Sequence, residues 1–173
     1  KNTLKDITKD LKSEYRMFRL VQGDVGSGKT IVGIVAALDA IEAGYQACFM
    51  APTEILAKQH YEGLMEQLEN CGLVDKVKPA LLVGSLKKAQ KEKTQAMVRD
   101  GVVNLIIGTH ALFQEKVKCK NLGLNIIDEQ HKFGVKQRFE LANKGDGVNI
   151  LFMTATPIPR TLSMTLYGDM EIS

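Results

Sequence analysis

The stretch "MFRLVQGDVGSGKT", residues 17–30, decides how the chain is read. An apolar run suited to a strand passes through a glycine-rich turn into a segment with helical periodicity. The turn fits G-x-x-x-x-G-K-[ST], with Gly23, Asp24, Val25, Gly26, Ser27, Gly28, Lys29 and Thr30 in order. A strand–loop–helix with this pattern is the phosphate cradle of P-loop proteins. Glycines let the backbone wrap closely round a phosphate chain, and the amides at the helix start supply donors and a positive dipole. Lys29 would reach the β and γ phosphates as a point charge, and Thr30 would hold Mg2+ through its hydroxyl.

Working outward, short apolar runs alternate with helical segments. The runs are 17–22, 45–51, 80–83, 102–108, 122–128 and 148–154, and residues 2–14 carry Leu4, Ile7 and Leu11 at helical spacing. Near-continuous apolar character suits strands covered on both faces, so the expected fold is α/β, a mostly parallel sheet flanked by helices. Gly44, Gly72, Gly101 and Gly145 stand where the intervening helices should stop. The lysine-rich 87–93 reads as a solvated helix face. Ligands of such sheets bind at the carboxyl ends of the strands, and function is expected there.

At 173 residues and 45% hydrophobic, the chain can bury one sizeable core, so residues 1–173 are expected to form a single domain. It begins at Lys1, and "KNTLKDITKDLK" has neither the apolar core nor the cleavage site of a signal peptide, as expected of a piece of a longer protein. The apolar runs are too short to span a bilayer, so no membrane association is expected. Cys48, Cys71 and Cys119 fit neither a disulfide framework nor a zinc ribbon, which points to a reducing cytoplasm. A net charge of +3 tolerates a polyanionic partner without demanding one.

A second cluster stands at the end of another apolar run, in "NIIDEQHKF", residues 125–133. Asp128 closes the strand at the edge where the cradle should sit, placed to share the magnesium ion with Thr30. Glu129, one residue on, would orient or deprotonate an attacking water. His131 has no cysteine or histidine partner at zinc spacing. A rival signal, "NKGD" at 143–146, matches a guanine-reading pattern, but it follows the helical period of Val135, Phe139 and Ala142 where a strand is required. A GTPase-type nucleotide switch is therefore the lesser alternative.

Four further stretches, "APTEILAKQH" (51–60), "VGSLKK" (83–88), "GTHALF" (108–113) and "MTATPIPRTL" (153–162), put Thr, Ser or Gly at strand exits. With GDVGSGKT and DEQH, this order resembles the first RecA-like motor domain of superfamily 2 helicases. It is most similar to the RecG family of ATP-dependent DNA helicases in "RLVQGDVGSGKT", "GTHALFQE", "LGLNIIDEQHKFGVKQR" and "FMTATPIPRTL". The transcription-repair coupling translocases are the neighbouring family, typically with DEEH where Gln130 stands here.

The resemblance implies ATP and Mg2+ as ligands, held by Lys29, Thr30 and Asp128, with Glu129 as the water-activating carboxylate. It implies that Gln130 and His131 couple the nucleotide to motion, with Thr154 and Thr156 on the same relay. Thr53, Gly84, Ser85 and Thr109 would hold phosphates of branched or single-stranded DNA. Hydroxyls and helix-start amides grip phosphate without reading bases, as a motor requires. Thr53 is equally suited to cap the helix that follows, and His60, on the row Leu56, His60, Leu64, Leu68, reads as a core-edge residue. The family also has a second RecA-like domain with an arginine finger and a wedge domain, both expected elsewhere in the intact protein. The chain by itself is expected to bind nucleotide but barely hydrolyse it.

Overall fold

The computed structural model describes residues 2–12, 17–23, 28–109, 117–129, 148–155 and 171–172. The elements run α1 (Asn2–Leu11), β1 (Phe18–Gln22), α2 (Lys29–Glu42), β2 (Gln46–Met50), α3 (Glu54–Cys71), β3 (Pro79–Leu82), α4 (Lys88–Arg99), β4 (Leu105–Gly108), β5 (Leu122–Glu129), β6 (Asn149–Thr154) and β7 (Glu171–Ile172). The strands form one sheet in the order β3-β4-β2-β5-β6-β1-β7, and every pairing is parallel.

The six expected strands are all present; β5 runs one residue further, β3 is shifted one residue earlier, and the others are trimmed at one or both ends. The largest trim is at 102–104, where the chain is still closing the turn after α4: the Val102 and Val103 amides both donate to the Met97 carbonyl. The short β7 carries no apolar run long enough to announce a strand. Gly44, Gly72 and Gly101 all follow helices with positive φ, as the helix stops required. Gly145 and the helix expected before it lie outside the described residues, as does Asn143–Asp146.

Alternation along the strands sorts the core into two faces. Phe49, Leu105, Ile107, Ile126, Leu151 and Met153 point to one face and pack with Ile7 of α1, Ala36, Ala37 and Ala40 of α2, and Ala57, Leu64 and Leu68 of α3. Cys48, Leu82 and Ile106 point to the other, where they meet Val98 of α4. Met50, Ile127, Ile150 and Phe152 form a second cluster with Leu20. In α4 only Val98 is buried and Lys87, Lys88 and Lys93 are exposed, so the lysine run is a solvated face.

Polar side chains pin the elements together. Arg19 of β1 is buried and pairs with Asp10 of α1 through both Nε and a terminal nitrogen. Thr8 donates to Asp39 across α1 and α2 at 2.7 Å. The buried Gln46 opens β2: its Nε2 donates to the carbonyls of Val98 (2.8 Å) and Val103 (2.7 Å), and its Oε1 accepts from the Asn121 amide (2.8 Å). Among the described residues no helix is long and apolar enough to cross a membrane.

Candidate nucleotide and nucleic-acid site

Parallel pairing brings every strand exit to one edge. Gln22 stands opposite Thr154, Thr154 opposite Glu129, Asp128 opposite Met153, Met50 opposite Ile127 and Gly108, and Gly108 opposite Leu82. From this edge depart the turn into α2, the 51–53 loop into α3, the 83–87 turn into α4, Thr109, and the chain beyond Glu129 and Thr154. Residues separated by more than a hundred positions thus meet because strands 5, 6 and 1 are neighbours.

The cradle is anchored to its neighbour: the Gly23 amide donates to the Thr154 carbonyl at 3.1 Å. Gly28 takes φ +83, a left-handed conformation that glycine adopts without steric cost, and a Cβ there would meet nothing within 4 Å. Its carbonyl receives the first helical bond of α2, from Val32 at 3.2 Å. Lys29 and Thr30 form the first turn of α2, and Lys29 Nζ donates to the Gly23 carbonyl. Asp24, Val25, Gly26 and Ser27 lie outside the described residues.

Close approach of α2 to the sheet sets the distance from this turn to the acidic strand end. A Cβ on Gly33 would meet Met153 Sδ at 3.1 Å, and Ile126 Cγ2 and Phe49 Cε2 at 3.2 Å. Ile126 and Met153 sit on β5 and β6 near Asp128 and Thr154, so glycine at 33 lets the helix bearing Lys29 and Thr30 lie against the strands that end in Asp128 and Thr154.

Asp128 is at the end of β5 with its side chain 14% exposed, and His60 of α3 faces it, Nε2 to Oδ2 at 3.7 Å. The His60 ring packs on Phe49, centroids 5.1 Å apart and tilted by 55°. Thr30, Phe49 and His60 line one small cleft with Ile34 and Leu64. His60 therefore faces Asp128 and shares a cleft with Thr30, the two residues expected to hold Mg2+. It is the core-edge residue its spacing suggested, but its second neighbour, Asp128, was invisible to a pattern that describes only its own helix. Thr154 is buried at the end of β6. Glu129 is the last residue of β5. Gln130, His131 and Thr156 lie outside the described residues.

Further along the edge, Thr53 caps α3: its φ of −137° is extended and its Oγ1 accepts from the Leu56 amide at 3.2 Å. Thr53, Gly84 and Ser85 are exposed and Thr109 is half-buried. The Ser85 amide donates to Glu54 Oε1 at 3.1 Å, and the same oxygen is 3.0 Å from where a Gly84 Cβ would stand. The Ser85 side-chain and backbone hydrogen bonds and the nearby Lys58 hold the Glu54 carboxyl below its usual range. Glu54 was not singled out in the sequence; a glutamate in the first turn of a helix reads as a dipole partner, and its bond to Ser85 spans two elements.

Residues 4–165 match the family described as DEAD/DEAH box helicase. The chain is 54% identical over 171 residues to the ATP-dependent DNA helicase RecG of Streptococcus pneumoniae, covering 99% of this chain and 25% of that protein. It is 52% identical to the RecG of Borreliella burgdorferi over its full 173 residues, again 25% of the relative. The chain thus spans about a quarter of the length of these relatives. Among solved structures it is similar to RecG bound to a three-way DNA junction, at 47% identity and TM-score 0.79, over 100% of this chain and 24% of that one. The DEAD-box helicase Mss116 bound to single-stranded RNA shares the fold at TM-score 0.74 and 18% identity, over 98% of this chain and 39% of that one. The α/β, RecA-like class and the RecG resemblance read from the motifs are both borne out.

Proposed function

Because the chain belongs to the DEAD/DEAH box helicase family, we propose that it is the ATP-binding motor domain of a RecG-type translocase that remodels branched DNA. One observation carries the reading: the P-loop turn and Asp128, 99 residues from Lys29 by number (128 − 29), leave the same edge of one parallel sheet, with His60 against both Asp128 and the cleft of Thr30.

The residues suit a magnesium-bound triphosphate. The open left-handed turn at Gly28 leaves room for phosphate beside the backbone, and Lys29 Nζ, now on a loop carbonyl, can exchange that acceptor for phosphate oxygens. Thr30 and Asp128 offer a hydroxyl and a carboxylate, the hard oxygen donors that Mg2+ takes. Bound ATP supplies the phosphoanhydride whose cleavage drives motion. The chain's part is to bind, orient and exclude: Lys29 neutralises phosphate charge, Glu129 orients the attacking water, and Gln130, His131, Thr154 and Thr156 transmit the nucleotide state. The Gly23–Thr154 bond ties the cradle directly to the β6 exit where that relay begins.

Thr53, Gly84, Ser85 and Thr109 would receive DNA phosphates along the remaining edge. Glu54 presently takes the Ser85 amide, so a phosphate arriving there must displace a carboxylate. Partners of the domain are a second RecA-like domain and a wedge domain of the intact protein, which acts in the bacterial cytoplasm. An arginine finger from the second domain is worth about 10³- to 10⁵-fold in turnover. Residues 1–173 alone are therefore expected to bind ATP–Mg2+ weakly and hydrolyse it negligibly.

Competition between ATP and GTP in the intact protein, with and without forked DNA, tests the reading. A motor prefers ATP and turns over faster with DNA; a guanine switch prefers GTP and ignores DNA. Strong DNA-stimulated hydrolysis by residues 1–173 alone would contradict the need for a second domain.

A further inference from the structure

We propose that His60 is a positioning residue for Asp128, donating from Nε2 to Oδ2 so that the other carboxylate oxygen is held toward the metal-bound nucleotide. The inference rests on the reading of Asp128 as the magnesium carboxylate and adds a residue that lies outside the P-loop and the acidic strand end.

Three observations carry it. First, His60 Nε2 is buried and has no hydrogen-bond partner among the described residues, while Asp128 Oδ2 lies 3.7 Å away, just beyond bonding range. A buried polar atom left unpaired costs about 1–3 kcal/mol, so such an atom facing a carboxylate is poised to close the gap. Second, the ring is fixed in place: it packs on Phe49 and belongs to α3, whose Ala57, Leu64 and Leu68 are buried in the core around it. The short shift needed is therefore easier for the Asp128 side chain, at a strand end, than for the imidazole. Third, His60 and Thr30 both line one small cleft, so the ring stands near the helix turn that carries the other proposed magnesium donor.

The chemistry is that of an outer partner to a metal ligand. A carboxylate has two oxygens, and a hydrogen bond to one fixes the rotation of the other; such partners typically change metal affinity or activity by about 10- to 100-fold when removed. The bond would also join two sites, since Thr53, on the proposed DNA edge, caps α3, and His60 of that helix faces Asp128 two turns later.

The test uses the intact protein with saturating forked DNA, measuring both ATP turnover and the binding of a fluorescent ATP analogue across a Mg2+ titration for wild type, His60→Leu, His60→Gln and Asp128→Asn. Leucine fills the space without a donor; glutamine places an amide nitrogen near the position of Nε2. The proposal expects His60→Leu to raise the half-saturating Mg2+ concentration by about tenfold or more, and His60→Gln to restore it most of the way. A merely structural role would lower kcat or the thermal midpoint without moving the Mg2+ dependence. Should the leucine variant fail to fold, His60→Asn, whose amide stops short of Asp128, takes its place with the same expected shift. An unchanged Mg2+ dependence in the donor-less variant, with Asp128→Asn inactive, overturns the role of His60 alone. Full activity of Asp128→Asn overturns the reading of Asp128 itself.

Discussion

The same substitution, glycine to alanine, should act in opposite directions in two helices of this chain. In α3, Gly63 is exposed and a Cβ there meets nothing within 4 Å. Alanine at 63 should gain only the helix-propensity difference, about 1 kcal/mol of stability. In α2, alanine at 33 gains the same amount, but its Cβ meets Met153, Ile126 and Phe49 at 3.1–3.2 Å. Overpacking of a tight core costs about 1–3 kcal/mol. Met153 is flexible and can yield, whereas Ile126 is β-branched and Phe49 is held between the sheet and His60. The sum for Gly33→Ala is a net loss of about 1 kcal/mol, and the two variants should differ by about 2 kcal/mol. Urea unfolding of residues 1–173 reads this as midpoints that move to opposite sides of wild type. Nucleotide affinity should fall for Gly33→Ala alone, because α2 carries Lys29 and Thr30 and would be pushed off β5 and β6. If both variants stabilise equally, α2 does not lie as close to the sheet as the site requires.

Replacing Gln46 by leucine keeps the volume but strands the Val103 carbonyl and the Asn121 amide, while the Val98 carbonyl keeps the Gly101 amide; the expected loss is about 2 kcal/mol, measured by denaturation. Thr53→Ala should cost about 1 kcal/mol through the lost cap, and if Thr53 also meets phosphate, DNA affinity should fall while Thr53→Ser retains both. Because the Glu54 carboxyl is held below its usual 4.5, its bond to the Ser85 amide is intact above that pH and is lost as pH falls through the lower, folded-state value. The Ser85 amide shift in an NMR titration should therefore show a midpoint under 4.5; a midpoint at or above it would mean that the carboxylate gains nothing from the contact.

What could be read from the sequence divides along a physical line. The sheet was legible because buried parallel strands are written as apolar runs, and Ile126, Ile127, Leu151 and Phe152 are apolar on both faces for that reason. The turn into α2 was legible because the left-handed Gly28 answers a constraint local to a few residues. Thr53 was legible in its capping role for the same reason, since its bond to Leu56 spans three positions. Contacts between distant elements were not. His60 against Asp128, Glu54 against the Ser85 amide and Gln46 against the Val98 carbonyl each use a side chain whose own surroundings in sequence describe a helix face, a first turn or a strand start. Nothing in a period of 3.6 or 2 encodes what lies across the gap. The short β7 was missed for a related reason, as two residues at a sheet edge are held by β1 and not by their own pattern.

The central claim is that Lys29 and Asp128 serve one metal-bound triphosphate, and binding of a fluorescent ATP analogue to the intact protein, with and without Mg2+, tests it most directly. Lys29→Ala should weaken binding in both conditions, because the ammonium meets phosphate itself. Asp128→Ala should leave metal-free binding near wild type and abolish the gain that Mg2+ confers. A full Mg2+-dependent gain in Asp128→Ala would place the metal elsewhere and contradict the account.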